Sequence, residues 1–198
     1  TGGRPGVGAG RPEAGLSADL LADLSDWRIN LHARSFTAVS VEMLLRDLRR
    51  SVPSSLGYTL ALVAVPGLPE VSITVTDGPL APGRVLSTVR FGLPVSVGVT
   101  AEVTFYASEA YAFDRLATMI DDSAIFDSGR VELGGALGVE VQPGIHGLAD
   151  HTKVNYAVGV LLARGRTFEE AERHLALLAV RLGSLVAAAD HLLTAFDA

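Results

Sequence analysis

The side chains best suited to chemistry in this 198-residue chain lie near its C-terminal end, where Lys153, Asn155 and Tyr156 stand close together and Arg164-Gly165-Arg166 follows. A cation neutralises phosphate, an aromatic ring stacks on a base, and an amide hydrogen-bonds a base edge. That is the chemistry by which proteins hold the splayed bases of RNA loops. The surrounding charge is mixed. Lys153, Arg164, Arg166, Arg173 and Arg181 are balanced by Asp150, Glu169, Glu170, Glu172, Asp190 and Asp197, and the whole chain carries a net charge of −6. Any nucleic-acid face therefore has to be local. The acids Glu169, Glu170 and Glu172 fall where a helix should begin, which suits the helix dipole.

Catalytic patterns are missing, and no catalytic residue, metal or cofactor is expected. There is no phosphate loop ending in Gly-Lys-Ser/Thr and no nucleophile elbow. The Gly-Gly-Ala-Leu-Gly run at 134–138 lacks the strand-before, helix-after setting of a dinucleotide loop. The 5 histidines show no metal-ligand spacing. His146 and His151 lie five residues apart across an expected loop-to-helix boundary, and a weak metal site is the lesser reading. Asp121-Asp122 is the kind of acidic pair a phospho-receiver uses, but it follows a helix and reads as a polar helix end. Arg46, Arg49 and Arg50 read as a solvated helix face rather than a binding patch. The absence of cysteine excludes disulfides and thiolate chemistry. A cytoplasmic location is expected. No apolar run reaches the ~20 residues of a membrane helix, so no membrane partner is expected. The chain begins at Thr1, which reads as a processed or cloned start, and no signal peptide is visible.

The elements that must position the C-terminal cluster are three short helices over residues 150–198. Val154, Ala157, Leu161 and Leu162 recur at helical spacing; so do Ala171, Leu175, Leu178 and Leu182, and then Leu185, Ala189, Leu192 and Phe196. Arg164-Gly165-Arg166 separates the first two. Thr167 with Glu170 predicts a capping box at the start of the second. Gly183 predicts a left-handed end to that helix, and Ser184 a cap for the third. Helices this short need each other for stability.

The run Ala157-Val158-Gly159-Val160-Leu161-Leu162-Ala163-Arg164, then Thr167, Glu169-Glu170-Ala171, Leu175, Leu185 and Ala189, resembles the ANTAR domain. That family is a three-helix module that binds RNA hairpins and prevents transcription termination, typically in bacteria. The resemblance implies an RNA face that includes Ala157 and Gly159, whose small side chains let RNA or a partner helix approach. The alternative is that Ala157 and Gly159 serve only tight packing and Tyr156 caps the core. Val158, Glu172 and Ala176 stand where the family usually has a basic residue, an aromatic and an Arg.

Upstream, residues 1–15 are rich in glycine and proline, with no periodicity, and read as flexible. Helices are expected over 16–33, with Ser17 as cap and Trp27 on the apolar side, and over 41–52, with Ser40 as cap and Pro53 as stop. Strands are expected at Tyr58–Val65, Glu70–Thr76, Val85–Phe91 and Pro94–Tyr106, the last bending near Gly98, and a helix at Glu109–Met119. Residues 123–149, interrupted by many glycines, read as a linker containing one short strand at Val139–Val141.

Within this region, Leu56-Gly57-Tyr58-Thr59-Leu60-Ala61-Leu62-Val63, Leu93-Pro94-Val95, Ala101 to Ala107 and Ala112-Phe113 are similar to a GAF domain over residues 16–122. GAF domains are sensory modules that often bind a small ligand and dimerise through flanking helices. The expected architecture is α+β: an antiparallel GAF-like sheet flanked by helices, followed by a small three-helix bundle. The expected function is a signal-responsive antitermination regulator that binds RNA hairpins, works as a homodimer through its first helices, and senses an unidentified small-molecule ligand or signalling protein. The second reading is a protein-interaction or dimerisation scaffold without RNA binding.

Overall fold

Alternation decides which way the strands face. Tyr58, Leu60 and Leu62 in one strand, Val89, Phe91 and Leu93 in another, and Ala101, Val103, Phe105 and Ala107 in a third all point to one side. Successive side chains of a strand point to opposite faces, so this parity makes one apolar face.

The computed structural model describes residues 20–26, 38–63, 69–96, 99–123 and 131–197. In chain order these hold helical residues 20–26 (α1), α2 (Ala38–Ser51), β1 (Ser55–Val63), β2 (Val71–Thr76), β3 (Ser87–Ser96), β4 (Val99–Ala107), α3 (Asp114–Asp121), β5 (Glu132–Gly134), β6 (Gly144–His146), α4 (Leu148–Ala163), α5 (Phe168–Leu182) and α6 (Leu185–Asp197). The fold is mixed α+β, with a 6-stranded antiparallel sheet in the order β5-β3-β4-β1-β2-β6.

The apolar face packs against Leu20 and Leu24 of α1, Leu44 and Leu48 of α2, and Leu116, Ala117 and Ile120 of α3. Phe105 sits at its centre, with edge-on contacts to Tyr58 and Phe91 at 6.3 and 5.5 Å between centroids. The Tyr58 hydroxyl donates to the Val41 carbonyl, tying β1 to α2, and burial raises its pKa. The other face is polar near its middle. The Thr59 hydroxyl lies 2.8 Å from those of both Thr74 and Tyr106, and Arg90 pairs with Glu102 at 3.3 Å.

Several expectations shift. α2 begins at Ala38, so Ser40 lies inside its first turn rather than capping it. The helix expected from Glu109 begins at Asp114, because residues 108–113 turn, with Tyr111 at φ 62, to bury Phe113. Pro94 lies in β3, not at the start of the next strand. It is tolerated there because the β3–β4 register is irregular between Pro94 and Ser96, and a proline fits a strand at such a break in the ladder. Leu20, Leu24, Leu44 and Leu48 of the first helices are fully buried in this core. Asp121 and Asp122 do stand at the end of α3.

The segment read as a linker does more than link. Of residues 123–149, the described part supplies both edge strands, β5 on β3 and β6 on β2, and Val141 makes an isolated bridge to Leu80. Gly134 permits the first pairing, since a Cβ there would lie 2.2 Å from the Thr88 hydroxyl. Residues 1–15, Ser17, Trp27, Asn30, Leu31, His32 and Gly98 lie outside the described residues.

α4, α5 and α6 share a second core of Val154, Ala157, Leu161, Ala171, Leu175, Ala188, Ala189 and Leu192. Among the described residues no single helix is long and apolar enough to cross a membrane.

Candidate nucleic-acid interface

α4 starts one residue after β6. Its N-cap, Gly147, adopts φ 74, and a Cβ there would lie 1.9 Å from the Glu70 carbonyl oxygen, so only glycine fits this junction. At the other end, Gly165 takes φ 83 and turns the chain into α5. The start of α5 is as the sequence predicts. The Thr167 hydroxyl accepts from the Glu170 N–H at 3.2 Å, and the Glu170 carboxylate accepts from the Thr167 N–H at 2.9 Å. Those bonds hold the Glu170 carboxyl below the usual carboxylate range. Gly183 ends α5 at φ 91, and the Ser184 hydroxyl accepts from the Ala187 N–H.

With both ends placed, the helical repeat sorts the candidate residues of α4. Val154, Ala157 and Leu161 point into the second core. Ala157 is fully buried, so it serves packing and not a ligand face. On the opposite side, Thr152, Asn155, Tyr156, Gly159, Val160 and Ala163 line an open groove of about 470 Å³. Tyr156 is 69% exposed and does not cap the core. A Cβ on Gly159 would meet nothing within 4 Å, so this glycine is not required by packing inside the chain.

The cations lie to one side of that groove, and Lys153 and Arg164 are tied to α6. Lys153 pairs with Asp190 at 3.0 Å. The Arg164 guanidinium stacks on the Phe196 ring, 3.6 Å from its centroid. Arg166 is exposed in the turn beyond. Neither α6 partner was singled out from sequence: Asp190 counted only as balancing charge, and Phe196 only as part of an apolar stripe. Thr152, Val160 and Ala163 were also missed as groove residues; their positions one turn from Asn155, Tyr156 and Gly159 are the signal that finds them.

A second depression, about 360 Å³, opens between α4 and α5. Val158, Glu172 and Ala176, the three departures from the ANTAR pattern, all line it, together with Phe168 and the Glu169–Arg173 pair. His146 and His151 do not converge: the His146 ring bonds the Gln142 carbonyl, while the His151 Nδ1 is buried without a partner. Among the described residues no cluster of potential metal ligands occurs.

Compared with known proteins, the chain matches no family model, no curated protein and no solved structure.

Proposed function

We propose that this chain is a signal-responsive transcription antitermination regulator, with a GAF-like sensor sheet and an ANTAR-like three-helix bundle that binds RNA hairpins. The observation that carries the reading is the outer face of α4. Tyr156, Asn155 and Gly159 share one open groove, with a ring free to stack, an amide free to hydrogen-bond, and a glycine that admits close approach. Lys153, Arg164 and Arg166 supply phosphate contacts at its side. A bundle this small offers few such contacts, so the reading includes a homodimer that presents two faces to a two-hairpin RNA. The signal enters through the sheet as a small-molecule ligand or a signalling protein, and the site is cytoplasmic.

The test is a salt titration with a two-hairpin RNA. Affinity should fall with rising salt with a slope of ~0.7 per phosphate contact on single strands. Arg164→Ala with Arg166→Ala should flatten that slope by two contacts. Wild type that binds no better than the double variant, with no salt response in either, ends the RNA reading.

One observation favours a second reading, a protein-interaction or dimerisation scaffold without RNA binding. Lys153 and Arg164 are already engaged with α6, and the depression between α4 and α5 mixes apolar residues with Glu169, Glu172 and Arg173 and has Phe168 exposed beside them.

A further inference from the structure

The chain crosses one end of the sheet twice. Residues 77–86 carry it from β2 to β3, and residues 135–143 carry it back from β5 on one edge to β6 on the other. The two crossings run antiparallel and bond to each other. The Leu80 N–H donates to the Val141 carbonyl at 2.9 Å and the Val141 N–H to the Leu80 carbonyl at 3.0 Å. The Gly83 N–H donates to the Leu137 carbonyl at 3.1 Å and the Leu137 N–H to the Val85 carbonyl at 3.2 Å. Under them Leu80, Val85 and Tyr106 are buried, with Leu56, Leu137 and Val141 packed alongside.

The returning crossing is lightly held. β5 and β6 have 3 residues each, and every one is exposed. Its apolar anchors are Leu137 and Val141, with Val131 ahead of β5 packed on the main core, and all three are only partly buried. Segments with few buried contacts open at lower free energy than the core of a fold, and they open as contiguous units. Here the unit does not end at β6. Gly147 is the only residue between β6 and α4; its backbone lies against the Glu70 carbonyl of the segment entering β2, and its own carbonyl accepts from the His151 N–H at 2.9 Å. The pairing of β6 and the first turn of α4 are thus separated by a single residue that both contact.

We propose that residues 131–147 form a strap that opens as one unit, and that its opening releases the start of α4 from β2. The sheet and the helical module are then coupled through an edge strand, by pairing that can be made and broken. This concerns how α4 is held, whatever α4 binds.

The absence of native cysteine makes a direct test available. Leu80 and Val141 exchange both backbone hydrogen bonds, which sets Cα atoms ~5.5 Å apart, inside the range a disulfide spans. Leu80→Cys with Val141→Cys locks the strap at its middle. Ile73→Cys with Ile145→Cys, a paired position on β2 and β6, locks it at its end and leaves buried Leu80 untouched. Amide hydrogen exchange is followed by mass spectrometry in the oxidised and reduced forms of each. In the reduced protein, 131–147 and the first turn of α4 should exchange together, faster than β4. Oxidation at either position should slow the whole set by a common factor, including residues far from the new bond. Slowing confined to the neighbours of each disulfide, with the rest of the strap and the first turn of α4 unchanged, overturns the proposal. So does a reduced protein in which β6 exchanges as slowly as β4.

Discussion

Arg164 lays its guanidinium 3.6 Å from the ring centroid of Phe196, so the end of α4 is fastened to the end of α6 by a cation over an aromatic face. Lys153 and Asp190 make a second tie between the same helices. Two of the three cations proposed to meet phosphate, Lys153 and Arg164, are thereby pre-positioned and already in use. Such a stack at an exposed site is worth ~0.5–1 kcal/mol. A double-mutant cycle with Arg164→Ala and Phe196→Leu should return a coupling of that size in thermal or urea unfolding. A coupling of zero would mean that the stack does not hold the two helices together in solution.

Gly159→Ala separates the two uses of the α4 outer face. The space beside this glycine is open, and glycine inside a helix costs ~1 kcal/mol relative to alanine. The substitution should raise the melting temperature. If RNA approaches this face closely, the same variant should bind RNA more weakly. Higher stability with unchanged RNA affinity would remove Gly159 from the interface.

Tyr156→Ala should leave stability almost unchanged, because the side chain is 69% exposed. RNA binding should weaken by ~1–3 kcal/mol, the value of one stacked base. The salt slope should stay as in wild type, since a ring releases no counterions. A flatter slope would show that the loss reflects a displaced cation instead.

Thr167→Ala removes the hydroxyl that accepts from the Glu170 N–H. The cost should be ~1 kcal/mol, typical of an N-cap. Thr167→Ser keeps the acceptor and should restore most of it. An unfolding midpoint that ignores both substitutions would show that the capping box contributes nothing to the stability of α5.

Asp23 gives the fold a pH response. Burial, then a hydrogen bond to Asp47 and repulsion from Asp47 and Asp26, push its pKa up to about 6, with Arg46 opposing. The unfolded chain loses this proton near 4. Between those values the folded state holds more protons, so stability falls as pH rises from ~4 to ~6 and levels off above. Asp47, held down by its bond to Arg46, acts the other way, and its contribution is lost only as pH drops below the usual carboxylate range. Asp23→Asn should flatten the fall between pH 4 and 6, measured by urea unfolding across that window. An unaltered slope would place the raised pKa elsewhere.

Much of what was decided within about one turn of helix or one strand was legible in the sequence, although the starts of α2 and α3 and the strand that holds Pro94 were not. Thr167 and Glu170 are three residues apart, and their reciprocal bonds need nothing else from the fold. The ends of α5 and α6 at Gly183 and Ser184 are local in the same way. Val71, Ile73 and Val75 announce a strand by parity alone, and so does the apolar run of β1. The groove on α4 follows from the helical repeat once the helix is granted, because Asn155, Tyr156 and Gly159 must then lie opposite Val154, Ala157 and Leu161. The burial of Ala157 follows from the same repeat.

Long-range pairing is where the sequence ran out. β5 and β6 are too short to carry a period, and their glycines read as a linker. They become strands because Thr88 leaves room only for Gly134, and because Ile145 finds Ile73 across the far edge of the sheet. Two cations of the sequence are engaged in the fold for the same reason: Lys153 meets Asp190 37 residues away, and Arg164 meets Phe196 on another helix. Local propensity depends on a few neighbouring residues and is written in order along the chain. The charge and room left at a surface depend on which distant residues the packing brings together, and only the tertiary structure decides that.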